Sequence, residues 1–215
     1  MSHNARPDDE QGPWYDADGR PHREGGPAVV TADGTRMWWV DGRLHRKDGP
    51  AIEFGNGSCQ WWLDGKLHRE DGPAITNKSG TREWWLDGKL HRKDGPALEL
   101  ANGSCQWWVD GELHREDGPA IEYADGTRMW YLHGALHRED GPAIEDANGA
   151  REWLLDGKLH REDGPAIEYA DGTCQYCLDG QSLSPEDHEE KRRLSLASRN
   201  PPPPRFPDII AALVD

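Results

Sequence analysis

The chain has 215 residues and a formal net charge of −15, from 40 Asp and Glu against 25 Lys and Arg. This charge disfavours nucleic acid as a partner, because phosphate contacts need a positive surface, and no apolar run approaches the ~20 residues of a membrane span. Eleven Trp supply large apolar areas, so the high charge does not by itself indicate disorder.

Residues 1–13 are polar and lack the apolar core of a secretion signal, so we expect a flexible N-terminus and a cytoplasmic protein. From residue 14 to residue 180 the chain repeats with a period of 23 residues. His-Arg recurs in this period from His22 to His160, and Gly-Pro-Ala follows each time in the same phase. Two further Gly columns mark turns, and the first repeat is degenerate, with Trp14-Tyr15 one position early. The pattern predicts an array of repeated units.

Each repeat reads as one β-hairpin. Pairs such as Asn56-Gly57 and Asp125-Gly126 are strong signals for a two-residue turn, because Gly accepts a positive φ. They join short segments that are rich in strand formers. Consecutive hairpins should pair edge to edge, with equivalent residues two strands apart, roughly 10 Å. With the predicted turn, one face holds Ile121, Tyr123, Trp130 and Leu132, and the other holds Ala120, Glu122, Met129 and Tyr131. The first face is the better core, because the second mixes an aromatic residue with acidic and small ones.

The 23-residue spacing, the hairpin in each unit and the aromatic–D/NG–K–x–H order resemble MORN repeats. The similarity is closest to degenerate bacterial MORN-like proteins with HR-x-DGPA units, and it covers roughly residues 14–180. The resemblance implies an all-β fold, an elongated single-layer array of hairpins used as a scaffold or interaction module. Lipid binding has been proposed for MORN proteins, but the acidity of this chain disfavours a membrane partner.

The C-terminal region differs from the repeats. We predict a helix within residues 181–200, because Ser184 can cap its start, Pro185 suits the first position and acidic residues fill the first turn. Residues 201–215 form a Pro-rich linker and a short apolar motif, which docks either on the array or in a partner protein. The motif residues are Phe206, Ile209, Ile210, Leu213 and Val214.

The His-Arg column has two interpretations. It could contact an anionic polymer or head group, or it could be a recurring corner in which Arg pairs with a nearby carboxylate and Gly-Pro sets the turn. A feature repeated with its turn residues attached favours the structural interpretation. The candidate anion contacts are His45, Arg46, His68, Arg69, His91, Arg92, His114 and Arg115.

The paired aromatic residues also have two interpretations. Alternation in a strand places the two members of each pair on opposite faces. The first members should form the core column: Trp38, Trp61, Trp84, Trp107, Trp130 and Trp153. The second members could form a partner-binding stripe, or the loop from Leu-His-Arg to Pro-Ala could fold over their rings as a thin second core. These residues are Trp39, Trp62, Trp85, Trp108 and Tyr131.

The four cysteines indicate a reducing compartment. Cys59 and Cys105 would lie roughly 19 Å apart by strand spacing, too far for a disulfide. Cys174 and Cys177 should face opposite sides of a strand, so a metal or redox role is weakly supported. The sequence contains no phosphate loop, zincin helix or nucleophile elbow. We therefore predict no catalytic residues, no metal and no cofactor.

These features favour a non-catalytic protein-interaction scaffold, whose partner could be basic. Two alternatives stay open: a stoichiometric inhibitor, immunity protein or antitoxin that neutralises one effector, and a binder of small anions or glycans along the repeat rows. Self-association through sheet edges or through the C-terminal tail is also open.

Overall fold

The computed structural model of the chain describes residues 13–199. It is all-β, with antiparallel strands repeated along the chain and a helix after them. This confirms the predicted array of hairpins with a C-terminal helical appendage. The chain divides between Leu136 and His137 into two compact units, and each is described by itself. The predicted tail motif at residues 206–214 and most of the predicted flexible N-terminus lie outside the described residues.

The described strands of the first unit are each two residues long. In chain order they are β1 (Val29–Val30), β2 (Arg36–Met37), β3 (Trp39–Val40), β4 (Arg43–Leu44), β5 (Ile52–Glu53), β6 (Cys59–Gln60), β7 (Trp62–Leu63), β8 (Lys66–Leu67), β9 (Ile75–Thr76), β10 (Arg82–Glu83), β11 (Trp85–Leu86), β12 (Lys89–Leu90), β13 (Leu98–Glu99), β14 (Cys105–Gln106), β15 (Trp108–Val109), β16 (Glu112–Leu113), β17 (Ile121–Glu122), β18 (Arg128–Met129), β19 (Tyr131–Leu132) and β20 (Ala135–Leu136).

Two strands from each repeat build the main sheet of this unit, in the order β1-β2-β5-β6-β9-β10-β13-β14-β17-β18. The other two strands of each repeat pair with each other, as β3 does with β4 and β7 with β8. A repeat therefore contains two hairpins, whereas the sequence analysis predicted one.

The second unit continues with β21 (Ile144–Glu145), β22 (Arg151–Glu152), β23 (Leu154–Leu155), β24 (Lys158–Leu159), β25 (Ile167–Glu168), β26 (Cys174–Leu178), β27 (Gln181–Leu183) and α1 (Pro185–Arg199). Its sheet has the order β21-β22-β25-β26-β27, and β23 pairs with β24. Strand β26 is unbroken because its first residues pair with β25 and its last residues pair with β27.

The predicted hairpin register is wrong by one residue. Ile121 pairs with Met129 and Glu122 with Arg128, so Ile121 shares a face with Met129 and not with Trp130. The cause is the loop, which has three residues: Tyr123 N donates to Thr127 O, and only Gly126 has a positive φ, of 97°. A type I turn followed by a left-handed Gly is the usual three-residue hairpin loop, and it shifts the pairing by one.

The two-residue turn occurs instead at the other Asp-Gly column. Asp110 has a φ of 53° and Gly111 a φ of 86°, and the flanking Val109 and Glu112 pair directly. Positive φ at both central residues defines the type I′ turn, whose twist matches that of the strands. Asp and His tolerate this conformation better than most residues, and His133 replaces Asp in the sixth repeat with a φ of 48°.

Successive repeats are also joined outside the strand ladder. The Ser104 hydroxyl, on a residue that is 1% exposed, accepts a hydrogen bond of 3.0 Å from Ala124 N in the following repeat. Ser58 and Thr35 make the same bond to the turn twenty residues ahead. A buried hydroxyl thus satisfies a backbone donor that the turn would otherwise leave unpaired.

The Ala of each Gly-Pro-Ala sequence is fully buried. The carbonyl of this Ala accepts the backbone N–H of a Trp in the preceding repeat, as in Trp38 N to Ala51 O at 2.8 Å. The sequence analysis placed Ala120 on the less buried face, which is wrong, because this whole column is 0% exposed. Its members are Ala28, Ala51, Ala74, Ala97, Ala120, Ala143 and Ala166.

Helix α1 follows the last hairpin directly. Ser184 caps it, since its hydroxyl accepts from Asp187 N at 3.1 Å. His188 is buried at 3% exposure, lies with its ring 5.0 Å from that of Tyr176, and has Nε2 2.7 Å from Arg161 O. Residues 181–183, which the predicted helical segment included, form β27, because the Asp179-Gly180 turn closes another hairpin.

Candidate functional site

The Arg of each His-Arg pair is engaged within the array. Arg92 donates from Nε to Asp94 at 3.0 Å and from Nη1 to Pro96 O and Glu99, each at 3.2 Å. Its guanidinium carbon also lies 4.0 Å from the centre of the Trp84 ring, a cation–π geometry. The hydrogen bond from Arg92 lowers the pKa of Asp94. The positive charge of Arg92 is therefore neutralised by neighbouring carboxylates, and these contacts hold the loop over the Trp column.

The same contacts recur along the chain. Arg46 and Arg115 each bond the Asp two residues later, the Pro carbonyl and a Glu on the sheet. Arg69 bonds Asp71 and Pro73 O. A bare Cβ on Gly72 would come within 3.0 Å of the Arg69 guanidinium, which explains Gly at this position. Rings under a guanidinium are those of Trp14, Trp38, Trp61, Trp84, Trp107 and Trp153.

The loop therefore covers the first Trp column. The sequence analysis considered such a cover over the second column, Trp39 and its equivalents. The one-residue shift in register accounts for the difference, because it moves Glu53 to the face of Trp38, where Arg46 contacts both. The Trp38 column, which was expected to form the core, is half-buried beneath the Arg side chains and is not the most buried part of the fold.

The His side chains tie each repeat to the next. Nδ1 of His91 lies 2.9 Å from Oδ1 of Asp110 and 3.1 Å from its backbone nitrogen. His45 and His68 have the same neighbours in Asp64 and Asp87. These imidazoles are only 11 to 18% exposed. Each therefore forms a joint between its own repeat and the Asp of the next one.

One joint is different. His114 faces His133, which replaces the Asp, and the two ring centres are 4.5 Å apart at a tilt of 51°. His133 N lies 3.2 Å from Nδ1 of His114, so the backbone part of the joint is retained. The second imidazole nitrogen of His114 lies 3.8 Å from Glu116.

The second aromatic column, which we call the aromatic stripe, comprises Trp39, Trp62, Trp85, Trp108 and Tyr131. All five are half-buried, and each begins a strand of a second hairpin. Each pairs with a Leu in that hairpin, as Trp62 does with Leu67. Because neighbouring residues in a strand point to opposite faces, the stripe lies on the face opposite the Arg-covered column. Burial, together with the nearby Tyr123, raises the pKa of Tyr131.

Polar side chains accompany the stripe, and the sequence analysis missed them. The indole nitrogens of Trp62, Trp85 and Trp108 donate to the residue two positions earlier, at 3.0, 2.9 and 3.0 Å. Those acceptors are Gln60, Glu83 and Gln106. The signal was present, because residues i and i−2 of a strand share a face. In the repeat that contains Trp39 that position is Met37, and the buried Nε1 of Trp39 has no partner within residues 13–199.

A groove separates consecutive loops of the Arg-covered face. The groove between the loops of Arg69 and Arg92 has a volume of 760 Å³, with Trp84 and Leu86 among its lining residues. A groove of the same construction in the second unit has 540 Å³ and includes Trp153 and Leu155. Each combines apolar side chains with charged loop residues, a composition that suits a binding surface.

The cysteines lie on strands. Cys177 is buried at 1% exposure and Cys174 is exposed on the same strand, which confirms that they face opposite ways. Cys59 and Cys105 lie on β6 and β14; burial raises the pKa of Cys105, with smaller contributions from Glu99 and Glu122. Within the part of the chain that the structure describes, no group of three or more His, Cys, Asp or Glu could hold a metal ion.

The chain matches no protein-family model and no curated protein. Its class is therefore defined by its own geometry, an all-β array of paired hairpins with a terminal helix. None of the helices between residues 13 and 199 is long and apolar enough to cross a membrane.

Proposed function

We propose that this chain is a non-catalytic, MORN-like scaffold in the cytoplasm, and that it binds partner proteins through the aromatic stripe. The observation that carries the proposal is the stripe itself: aromatic residues recur at one position of successive repeats on the face opposite the loops. Half-buried Trp and Tyr are favoured anchors in protein interfaces, since they combine a large apolar area with a polar atom.

The polar neighbours of the stripe support this choice. Gln60 and Gln106 already hold the indole nitrogens, so the rings are fixed before a partner arrives. Fixed anchors reduce the entropy cost of association. The His-Arg column is a weaker candidate, because Arg46 and its equivalents already bond carboxylates and carbonyls of the array.

The test is capture of partners from the native host, followed by substitution in the stripe. The double variant Trp62→Ala, Trp85→Ala should lose the partners that the natural chain retains. Tyr169→Ala is the matched control, because Tyr169 is 45% exposed and is not part of the stripe. Circular dichroism must show that both variants fold.

If the folded double variant keeps every partner, binding does not use the stripe and the proposal fails. Native mass spectrometry of the captured complex separates the scaffold from its main alternative. Several partners, or several copies of one partner, fit a scaffold. A single basic effector bound one to one would instead support the stoichiometric inhibitor.

A further inference from the structure

In the second unit, helix α1 packs beside the last Arg loop, that of Arg161. Tyr176 occupies the position of Trp153 one repeat later, and His188 of α1 lies against its ring at 5.0 Å. Arg199 of α1 contacts Glu162 of the loop at 2.8 Å. The pKa of Asp163 is lowered chiefly by the hydrogen bond from Arg161, and a nearby Arg192 of α1 adds to this. A helix carrying Arg thus occupies this place in the fold.

The groove that precedes this loop in the same unit is lined by residues equivalent to those that α1 contacts. Glu139 stands where Glu162 stands one repeat later, and Trp153 stands where Tyr176 stands. The Glu139 side chain is 87% exposed, so its carboxylate is open to a cation. We call this site the Trp153 groove; it has a volume of 540 Å³.

The charge of the groove walls varies along the chain. The Trp153 groove is lined by four carboxylates against two guanidinium groups. One of the four, Glu162, is already paired with Arg199 of α1, which leaves three carboxylates that α1 does not pair with. The groove that contains Trp84 has three carboxylates and three cations, because Lys93 stands where Glu162 stands in the Trp153 groove. The groove that contains Trp38 has two carboxylates and three cations. Of these sites the Trp153 groove is the most favourable for a cation.

We propose that the Trp153 groove binds an arginine-bearing helix of a partner protein. The partner's guanidinium would meet Glu139 as Arg199 meets Glu162, and its apolar side chains would pack near Trp153 and Leu155. Arg suits this place because its planar fork pairs with carboxylates and stacks on aromatic rings. This site is separate from the aromatic stripe, and the inference does not depend on the stripe's function.

The experiment uses the full chain and a blocked, alanine-based helical peptide with two Arg spaced four residues apart. A peptide with Gln in place of Arg is the control ligand. Titration is followed by the indole N–H signals of Trp153 and Trp84 in ¹⁵N-labelled protein. We expect the Arg peptide to shift Trp153 more than Trp84, and the Gln peptide to leave both unmoved.

Two variants with the same change in net charge locate the site. Glu139→Lys should weaken binding of the Arg peptide about tenfold or more, because it places a like charge beside the peptide's Arg. Glu70→Lys alters the equivalent residue of the Trp84 groove, and it should change the affinity less than about twofold. Glu139→Gln serves as a milder second variant, and circular dichroism confirms the fold of each.

Equal losses in the two Lys variants, or equal shifts of Trp84 and Trp153, would show general attraction to an acidic protein and overturn the proposal. Absence of any shift, or equal binding of the Gln peptide, would also overturn it. The variant Trp62→Ala, Trp85→Ala should bind the Arg peptide normally, so failure of the stripe and failure of the groove can be told apart.

Discussion

The unpartnered indole nitrogen of Trp39 offers a sharp test of the packing on the stripe face. Three other repeats place Gln or Glu two residues before the Trp, and its side chain accepts the indole N–H. Met37 cannot do this, and Nε1 of Trp39 is buried without a partner in the described residues 13–199. We predict that Met37→Gln stabilises the protein by supplying the missing acceptor.

The magnitude follows from two opposing contributions. A buried donor without an acceptor costs about 1–3 kcal/mol, and Gln would recover much of that. Replacing a half-buried Met removes apolar contact worth about 1 kcal/mol. The net gain should be about 1 kcal/mol. Met129→Gln is the matched control. Met129 is half-buried like Met37 and has the same strand position, but the residue two positions later is Tyr131, which has no indole, so only the loss should remain.

Urea unfolding of the natural chain and both variants measures these changes, and the indole N–H exchange rate of Trp39 reports the bond directly. Met37→Gln should raise the midpoint and slow the exchange, whereas Met129→Gln should lower the midpoint. If the two variants lose stability equally and the Trp39 exchange rate is unchanged, the interpretation of Gln60 and its equivalents as indole acceptors is refuted.

Three further predictions concern the stability of the array. Ser104→Ala should lower the free energy of unfolding by about 1 kcal/mol, because it leaves Ala124 N unpaired. Ala150→Ser, at the equivalent position of another repeat, should raise the free energy of unfolding. Equal urea midpoints for these two variants would contradict the prediction. His133→Asp should add about 0.5 kcal/mol by restoring the exposed carboxylate that other joints have, with a lower thermal midpoint as the contrary result. Finally, hydrogen bonds from Arg lower the pKa of the Asp in several His-Arg-x-Asp loops. The stabilisation from these pairs is present above the ordinary Asp pKa of about 4, and it is lost as the pH falls through the lowered pKa of the folded state. The urea midpoint should therefore fall between pH 5 and pH 3. A midpoint that rises there would contradict the role of these pairs.

The period of the sequence was enough to predict the class of fold, because three columns of turn residues in one phase leave few alternatives. It was not enough to predict the register. Asp125-Gly126 and Asp110-Gly111 look alike as dipeptides, yet only the second has positive φ at both residues. The difference arises from the surroundings of the loop: Ser104 accepts a hydrogen bond from Ala124 N of the following turn, and Asp125 of that turn accepts one from Thr127 N, which favours the longer loop. Such bonds between repeats cannot be read from a single repeat.

The candidate site, too, could be predicted only in part from the sequence. The Arg column could be recognised as structural because acids and Gly-Pro accompany it at fixed spacing. The position of the Arg over Trp38 could not be predicted, because it depends on which residues share a face, and a shift of one residue reverses every face. His188 gave no periodic signal at all. Its burial follows from the packing of α1 on β26 and β27, a contact between segments with unrelated patterns.

The terminal repeats explain why we place partner binding on the faces of the array rather than at its ends. At the start, Trp14 N donates to Ala28 O as Trp38 N does to Ala51 O, but the following turn has three residues, with Asp16 N bonded to Arg20 O. This longer turn accounts for the early position of Trp14. It also places Pro13 where Met37 stands in the next repeat, and Pro has no N–H to donate.

A Pro at this position opposes the addition of another strand, a common protection of sheet edges. In the second unit, considered by itself, Ser184 begins α1 where the next loop would begin, and the helix lies against β26 and β27 in place of a further repeat. Both departures from the repeat occur where pairing would otherwise continue. The surfaces that remain regular are the stripe and the grooves, and the identity of Met37, Lys93 and Glu139 within them is what distinguishes one repeat from another.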